Sequence, residues 1–117
     1  QQRVAAKAGF GYGHEDKVAF NRRIRMKNGL TFSHPGPGHP EILGFAGPID
    51  PQVGVVYAET ADGRPLVTIV NFALHVAIVG GSRISADYPH TLAEALGRVK
   101  GEAMLTVFLK SLLKQNC

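Results

Sequence analysis

His75 is the side chain in this sequence whose type and setting together could do chemistry. It lies near the middle of Leu66–Tyr88, LVTIVNFALHVAIVGGSRISADY, a long apolar run that breaks at Gly80-Gly81 into a polar segment containing Asp87. A neutral imidazole is the commonest metal ligand, and a rigid strand holds a metal donor well. A histidine on an apolar strand can equally be a satisfied core residue. The other histidines are weaker candidates. His14 is followed by Glu15 and Asp16, but adjacent residues do not easily converge on one ion, so an exposed turn is the plainer reading. His34 and His39 sit in HPGPGHP, too rich in proline and glycine for helix or central strand, and read as loop residues.

The element that must hold His75 is a strand. In extended chain, alternate side chains point to opposite faces. Leu66, Thr68, Val70, Phe72 and Leu74 would share one face, and Val67, Ile69, Asn71, Ala73 and His75 the other. Both sets are mostly apolar, the pattern of a central strand covered on each side. Asn71 and His75 would stand roughly 13 Å apart at about 3.3 Å per residue. An imidazole at the carboxyl end of such a strand is where open α/β sheets place ligands.

The flanking segments carry their own signals. Gln1–Ala8 is Ala-rich and helix-permissive, with Gly9 as a stop; it resembles the last turns of a helix begun earlier in a longer chain. Gly9-Phe10-Gly11-Tyr12-Gly13 can make a strand with close backbone contacts. Asn28 to Pro51 is a turn-rich excursion, opened by the Asn28-Gly29 tight-turn signal, that could wall a cleft. Val53–Glu59 is a strand, joined to Leu66 through a hairpin at Asp62-Gly63. Pro89 suits the first turn of a helix, with Asp87 near enough to satisfy exposed amides. Leu92, Ala93, Leu96 and Val99 make a core-facing stripe, and Gly101 stops the helix. Met104–Leu109 is a further strand. Strand, helix, strand predicts a crossover of right hand. The expected fold class is α/β: a mixed sheet with a β-hairpin and a right-handed β-α-β crossover.

Bulk properties narrow the partners. The chain has 117 residues, 44% hydrophobic and 19% charged, enough for one small domain with a modest core. Its longest apolar run, Leu66–Val79, is interrupted by Asn71 and His75 and falls short of the ~18 residues of a membrane span. Net charge is +4, with Arg22, Arg23, Arg25 and Lys27 the one dense basic group. That group lacks the aromatic interleaving of a single-strand binding surface, so nucleic acid is not an expected partner. Contact with an anionic membrane surface would show as steep salt dependence. The single cysteine, Cys117, makes neither an internal disulfide framework nor a zinc ribbon.

Four segments in one order give the chain a resemblance. They are Phe20-Asn21-Arg22-Arg23, Gly47-Pro48-Ile49-Asp50-Pro51-Gln52-Val53-Gly54-Val55, Val70-Asn71-Phe72-Ala73-Leu74-His75 and Ile84-Ser85-Ala86-Asp87-Tyr88-Pro89. With them the chain resembles, from Gly9 to about Leu109, the N-terminal catalytic domain of the neutral/alkaline, non-lysosomal ceramidase family. The resemblance implies that residues 1–117 are a single partial domain of a larger α/β hydrolase domain. It implies a zinc-dependent amidase that cleaves the N-acyl bond of ceramide, or another small-molecule or lipid amide, and a secreted or periplasmic location. It further implies that His75 is a zinc ligand and that Arg22 belongs to the active-site lining, where a guanidinium can hold a polar or oxyanionic group. Asp87 matches a position beside the site, with helix capping an equal alternative.

The departures are as informative. The resemblance places the family's first zinc-binding histidine in a His-x-His segment before Gln1, and glutamate and tyrosine ligands after Cys117. The family's active-site serine segment should follow the last strand, where this chain reads LKSLLKQNC; Ser111 does not take that role. One imidazole cannot hold a catalytic zinc, which takes three protein ligands and a water. The chain is therefore expected to be inactive by itself and to need the remainder of the catalytic domain. The competing reading is a non-catalytic binding or scaffold module in which His75 is a core residue. A His75 ring packed among aliphatic neighbours, with no route to solvent, would favour it.

Overall fold

The computed structural model describes residues 3–110. A hairpin is its spine. Strands β5 (Gln52–Thr60) and β6 (Pro65–Phe72) pair antiparallel, joined by the turn that Asp62-Gly63 predicts. Gly63 has φ 87°, a left-handed conformation that glycine adopts without steric cost. The Thr60 hydroxyl accepts the Arg64 amide at 2.9 Å, and the Thr60 amide donates to the Arg64 carbonyl at 2.9 Å. The outer strand of the sheet beyond β5 is β1 (Ala6–His14), antiparallel across nine paired positions. On the other side β7 (Leu105–Lys110) runs parallel to β6, connected to it through helix α1 (Asp87–Lys100). The result is a mixed four-stranded sheet in the order β1-β5-β6-β7.

Helix α1 conforms to its sequence signals. Asp87 lies in the first turn and Arg98 and Lys100 in the last, matching the positive and negative ends of the helix dipole. At the end Gly101, φ 120°, donates its amide to the Gly97 carbonyl at 2.8 Å. Leu92, Ala93 and Leu96 are half-buried. Val99, expected in the same stripe, is 78% exposed, because the helix ends beyond the edge of what it covers.

The sheet is covered on one face. Thr68, Val70 and Phe72 of β6 are buried, whereas Val67 and Ile69 are half-buried and Asn71 is exposed. The expectation of a strand covered on both sides is therefore corrected. Register puts Phe10, Tyr12, Val56, Ile69, Leu105 and Leu109 on the open side, with Phe10 90% exposed. Openness also shows in the dimensions. The radius of gyration is 18.5 Å, against about 13 Å for a compact chain of about 100 residues. Accessible surface is 8725 Å², against about 6,200 Å² for a folded monomer of this mass. Among the described residues no helix is long and apolar enough to cross a membrane.

Three further expectations change. The helix expected over Gln1–Ala8 is replaced, from Ala6 on, by β1. Alanine and lysine are good helix formers, but intrinsic propensity is small beside tertiary pairing, and the ladder to β5 prevails. The glycines of β1 are not sites of close approach: a methyl group added at Gly9, Gly11 or Gly13 would meet nothing within 4 Å. The excursion after Asn28 contains regular structure. Strand β2 (Arg23–Met26) is central in a second sheet, flanked by β3 (Thr31–Ser33) and β4 (Ile42–Phe45) in the order β3-β2-β4. The Asn28-Gly29 turn joins β2 to β3 as predicted, the Gly29 amide donating to the Met26 carbonyl at 3.0 Å.

Candidate functional site

Strand β6 ends at Phe72, so the alternation expected to carry on to His75 stops short, and His75 stands in the loop beyond it. Its ring is exposed. It lines a cavity of about 430 Å³ with Leu74, Ala77 and Ile78 from its own loop and Val18, Phe20 and Arg22 from the segment entering β2. A cavity of this size, mostly apolar with a few polar groups, is the usual form of a small-molecule site. The alternative of a ring packed among aliphatic neighbours does not describe it.

Arg22 reaches this cavity because its neighbours are fixed. Asn21 is buried; its side-chain amide donates to the Pro48 carbonyl at 3.3 Å, and its oxygen accepts the Arg23 amide at 3.0 Å. Gly47 leaves that room: an added methyl group would sit 3.3 Å from Asn21 Nδ2. The guanidinium is half-buried and its Nη1 donates to His34 Nε2 at 3.3 Å, which requires the His34 proton on Nδ1. His34, Pro35 and Pro37 wall a second hollow of about 330 Å³ on the other side of Arg22, so the proline-rich loop does border a cleft. His39 takes no part; its Nδ1 accepts the Glu41 amide at 3.2 Å within the loop.

The His75 loop is fixed by the start of α1. Asp87 Oδ2 accepts the amides of Ile78 at 2.9 Å and Val79 at 2.7 Å, and Oδ1 accepts the Tyr88 amide at 2.7 Å. The Tyr88 hydroxyl donates to the Leu74 carbonyl at 2.8 Å. Asp87 is not the helix cap, since that place falls to Ala86 without a side-chain bond; one carboxylate oxygen serves the next amide and the other serves the loop. The amides of Val79 and Tyr88, then that of Ile78, hold the Asp87 carboxyl below the usual carboxylate range, against the opposing effect of burial. Burial, and then the Asp87 charge, push the Tyr88 phenol up to about 12.

The four segments of the resemblance thus form one connected set: the Asn21 segment bonds to the Gly47 segment, the Gly47 segment pairs with the His75 segment in the β5–β6 ladder, and the His75 segment is held by the Asp87 segment. Comparison with protein-family models, with curated proteins and with solved structures finds no match.

Among the described residues no group of three His, Cys, Asp or Glu side chains is placed to hold a metal. His75 offers one donor to the cavity, and no carboxylate lines it. The residues present do not by themselves fit a zinc ion. His14 pairs with Asp16 at 3.3 Å on the surface, well exposed. Ser111 and Cys117 lie outside the described residues. Sequence reasoning missed Val18, Phe20 and Ile78 as lining residues and Tyr88 as a support. The apolar Val18-Ala19-Phe20 run directly before Asn-Arg was the available signal for the first two.

Exposure of the ring has a direct check. Diethyl pyrocarbonate is expected to label His75 at a rate within a few-fold of the exposed His90, read residue by residue by mass spectrometry. A His75 labelled a hundredfold more slowly would mean a closed site.

Proposed function

We propose that this chain is part of the catalytic domain of a zinc-dependent amide hydrolase similar to the neutral ceramidases, with His75 as one zinc donor and Arg22 as a holder of the substrate's polar group. One observation carries the reading: Arg22 and His75, far apart in sequence, line the same apolar cavity with the imidazole accessible from it. The remaining donors would come from the rest of that domain. The larger α/β hydrolase fold and the right hand of the β6-α1-β7 crossover belong to the same proposal. Zinc would supply an activated water and polarise the carbonyl. This chain's share is to point one imidazole at the metal, to offer the Arg22 guanidinium to a carbonyl or oxyanion, and to seat an apolar tail against Val18, Phe20 and Ile78. The substrate class is a small-molecule or lipid amide. The chain by itself, with one donor, is expected to show no hydrolysis.

The second reading is a non-catalytic binding module. It is favoured by the incomplete donor set beside an otherwise well-formed apolar cavity. Zinc content separates the two. A protein joining this chain to the upstream His-x-His and the downstream glutamate and tyrosine donors is expected to hold one zinc per molecule, falling toward none in His75→Ala, as measured by atomic emission after gel filtration. Full zinc retention in His75→Ala, with loss of stability only, leaves the binding module.

A further inference from the structure

We propose that Asp87 and Tyr88 form a two-point clamp that sets where the His75 ring stands, so that the position of the candidate donor is dictated by the first turn of α1 and not by strand β6. Strand β6 contributes little, since regular pairing ends at Phe72 and leaves an isolated bridge at Leu74 before His75. Beyond the strand runs a loop whose residues from Val76 to Val79 are exposed and whose own backbone bond is from the Ala77 amide to the His75 carbonyl at 3.0 Å. Two sets of hydrogen bonds hold it. Before His75, the Leu74 carbonyl is taken by the Tyr88 hydroxyl at 2.8 Å. After it, the Ile78 and Val79 amides both converge on Asp87 Oδ2, at 2.9 and 2.7 Å. His75 and Ala77, which both face the cavity, lie between the anchors.

The anchors are themselves fixed. Asp87 is buried and adopts φ 57°, a left-handed conformation that non-glycine residues rarely take and that persists where the surroundings over-determine it. Its own amide donates to Ser85 Oγ at 3.0 Å. Tyr88 packs edge-on against Phe108 of β7, with ring centroids 5.2 Å apart, so the hydroxyl that holds Leu74 hangs from the sheet's last strand. Neither Asp87 nor Tyr88 lines the cavity. Both are positioning residues. The use of the ring as a metal donor rests on the proposed zinc hydrolase function; the clamp concerns the ring's place alone and is tested without metal.

The test is solution NMR on the metal-free chain, with the His75 ring resonance assigned by its loss in His75→Gln. In Asp87→Asn one of the carboxylate's two acceptors becomes a donor, so the three amides cannot all be served. Exchange of the Ile78 and Val79 amides is expected to speed up about tenfold or more, as losing a hydrogen bond to a charged acceptor implies. The His75 ring resonance is expected to move toward the position of a free imidazole, in part through loss of the Asp87 charge that bears on it directly. Tyr88→Phe, which keeps that charge, is therefore the deciding variant for the ring's place. Tyr88→Phe, which removes one hydroxyl and nothing of the packing, is expected to move the ring resonance in the same direction by less. Met104→Ala, a core truncation that lowers the melting temperature away from the loop, is expected to leave it in place. A ring resonance unmoved in Tyr88→Phe overturns the proposal. So does one moved equally by Met104→Ala, since the effect would then be general loosening. Should Asp87→Asn fail to fold, Tyr88→Phe decides.

Discussion

Phe72→Ala is expected to abolish the cooperative unfolding transition at 25 °C. Phe72 is buried on the covered face of β6, between Val53 of β5 and Lys110 of β7 in the ladder. Truncating a buried phenylalanine costs about 3–5 kcal/mol, set against about 5–15 kcal/mol for a whole domain. This chain belongs at the low end of that range. Its buried apolar residues, among those described, are Ala19, Met26, Val70, Phe72, Ala73 and Met104, and two of the six are alanines. A gap of about 370 Å³ lies between α1 and the sheet, bordered by Phe72 itself. The truncation would remove apolar contacts between α1 and the sheet where they are already sparse. Val56→Ser, on the open face, is the control. Its side chain is 43% exposed, and surface changes of this kind stay within about 0.5 kcal/mol. Urea unfolding monitored by far-ultraviolet circular dichroism reads both. If Phe72→Ala keeps a transition within about 1 kcal/mol of the parent chain, well under the truncation cost, the covered face is not the core.

How much of this was legible in the residues depends on how local the cause is. The β5–β6 hairpin was, because Asp62-Gly63 supplies the left-handed residue that the turn needs. The α1 end was, because Gly101 closes it on Gly97. Strands β3 and β4 were not. They are three and four residues long, stand on either side of the proline- and glycine-rich run at 34–40, and exist because β2 lies between them to pair with both. The apolar content of both faces of β6 was read correctly as composition and wrongly as cover. A strand's residues say what it tolerates, and the described residues contain one helix to lay on it. Propensity likewise misread Ala6–Ala8, where pairing along β1 overrides the helical preference of alanine and lysine.

The candidate site divides the same way. His75 was identifiable by type and by its place after an apolar strand. Its pairing with Arg22 came from resemblance, since nothing in the spacing of the two residues brings β2 and the end of β6 together. The agent is Asn21, whose hydrogen bonds to Pro48 and Arg23 hold the Arg22 backbone, and that is a tertiary fact. Asp87 was legible as a helix-start residue. Its second role needs the loop after β6 to return to the helix, which no local pattern announces. Tyr88 was overlooked because a tyrosine beside a helix start signals packing, and here it both packs and holds the loop.

The two anchors of the His75 loop should give the stability profile an acid and an alkaline limb of separate origin. For Asp87 the folded-state pKa lies below the ordinary carboxylate value, held there chiefly by the Val79 and Tyr88 amides. Between the depressed value and about 3.9 the unfolded chain binds more protons than the folded one, so stability rises with pH there. Its contribution is complete above the unfolded value and is lost as pH falls through the folded one. Asp62, lowered by its hydrogen bond with Thr60, adds a limb of the same sign, so Asp87→Asn should shrink the acid slope and Asp87→Asn with Asp62→Asn remove most of it. For Tyr88 the sign reverses. Its folded-state value of about 12, raised first by burial and then by the Asp87 charge, exceeds the ordinary value of about 10. Between them the folded chain holds the proton more tightly, so stability is complete below about pH 10 and falls as pH rises toward about 12. Tyr57, raised by burial and by Glu59, acts in the same direction, and Tyr88→Phe in a Tyr57→Phe background isolates the difference. Urea midpoints across about pH 2.5–5 and about pH 9–12, the ranges that bracket the two groups, read both limbs. An acid slope untouched by Asp87→Asn would mean that its three amide partners are not held in solution. The loop carrying His75 would then have lost one of its two supports.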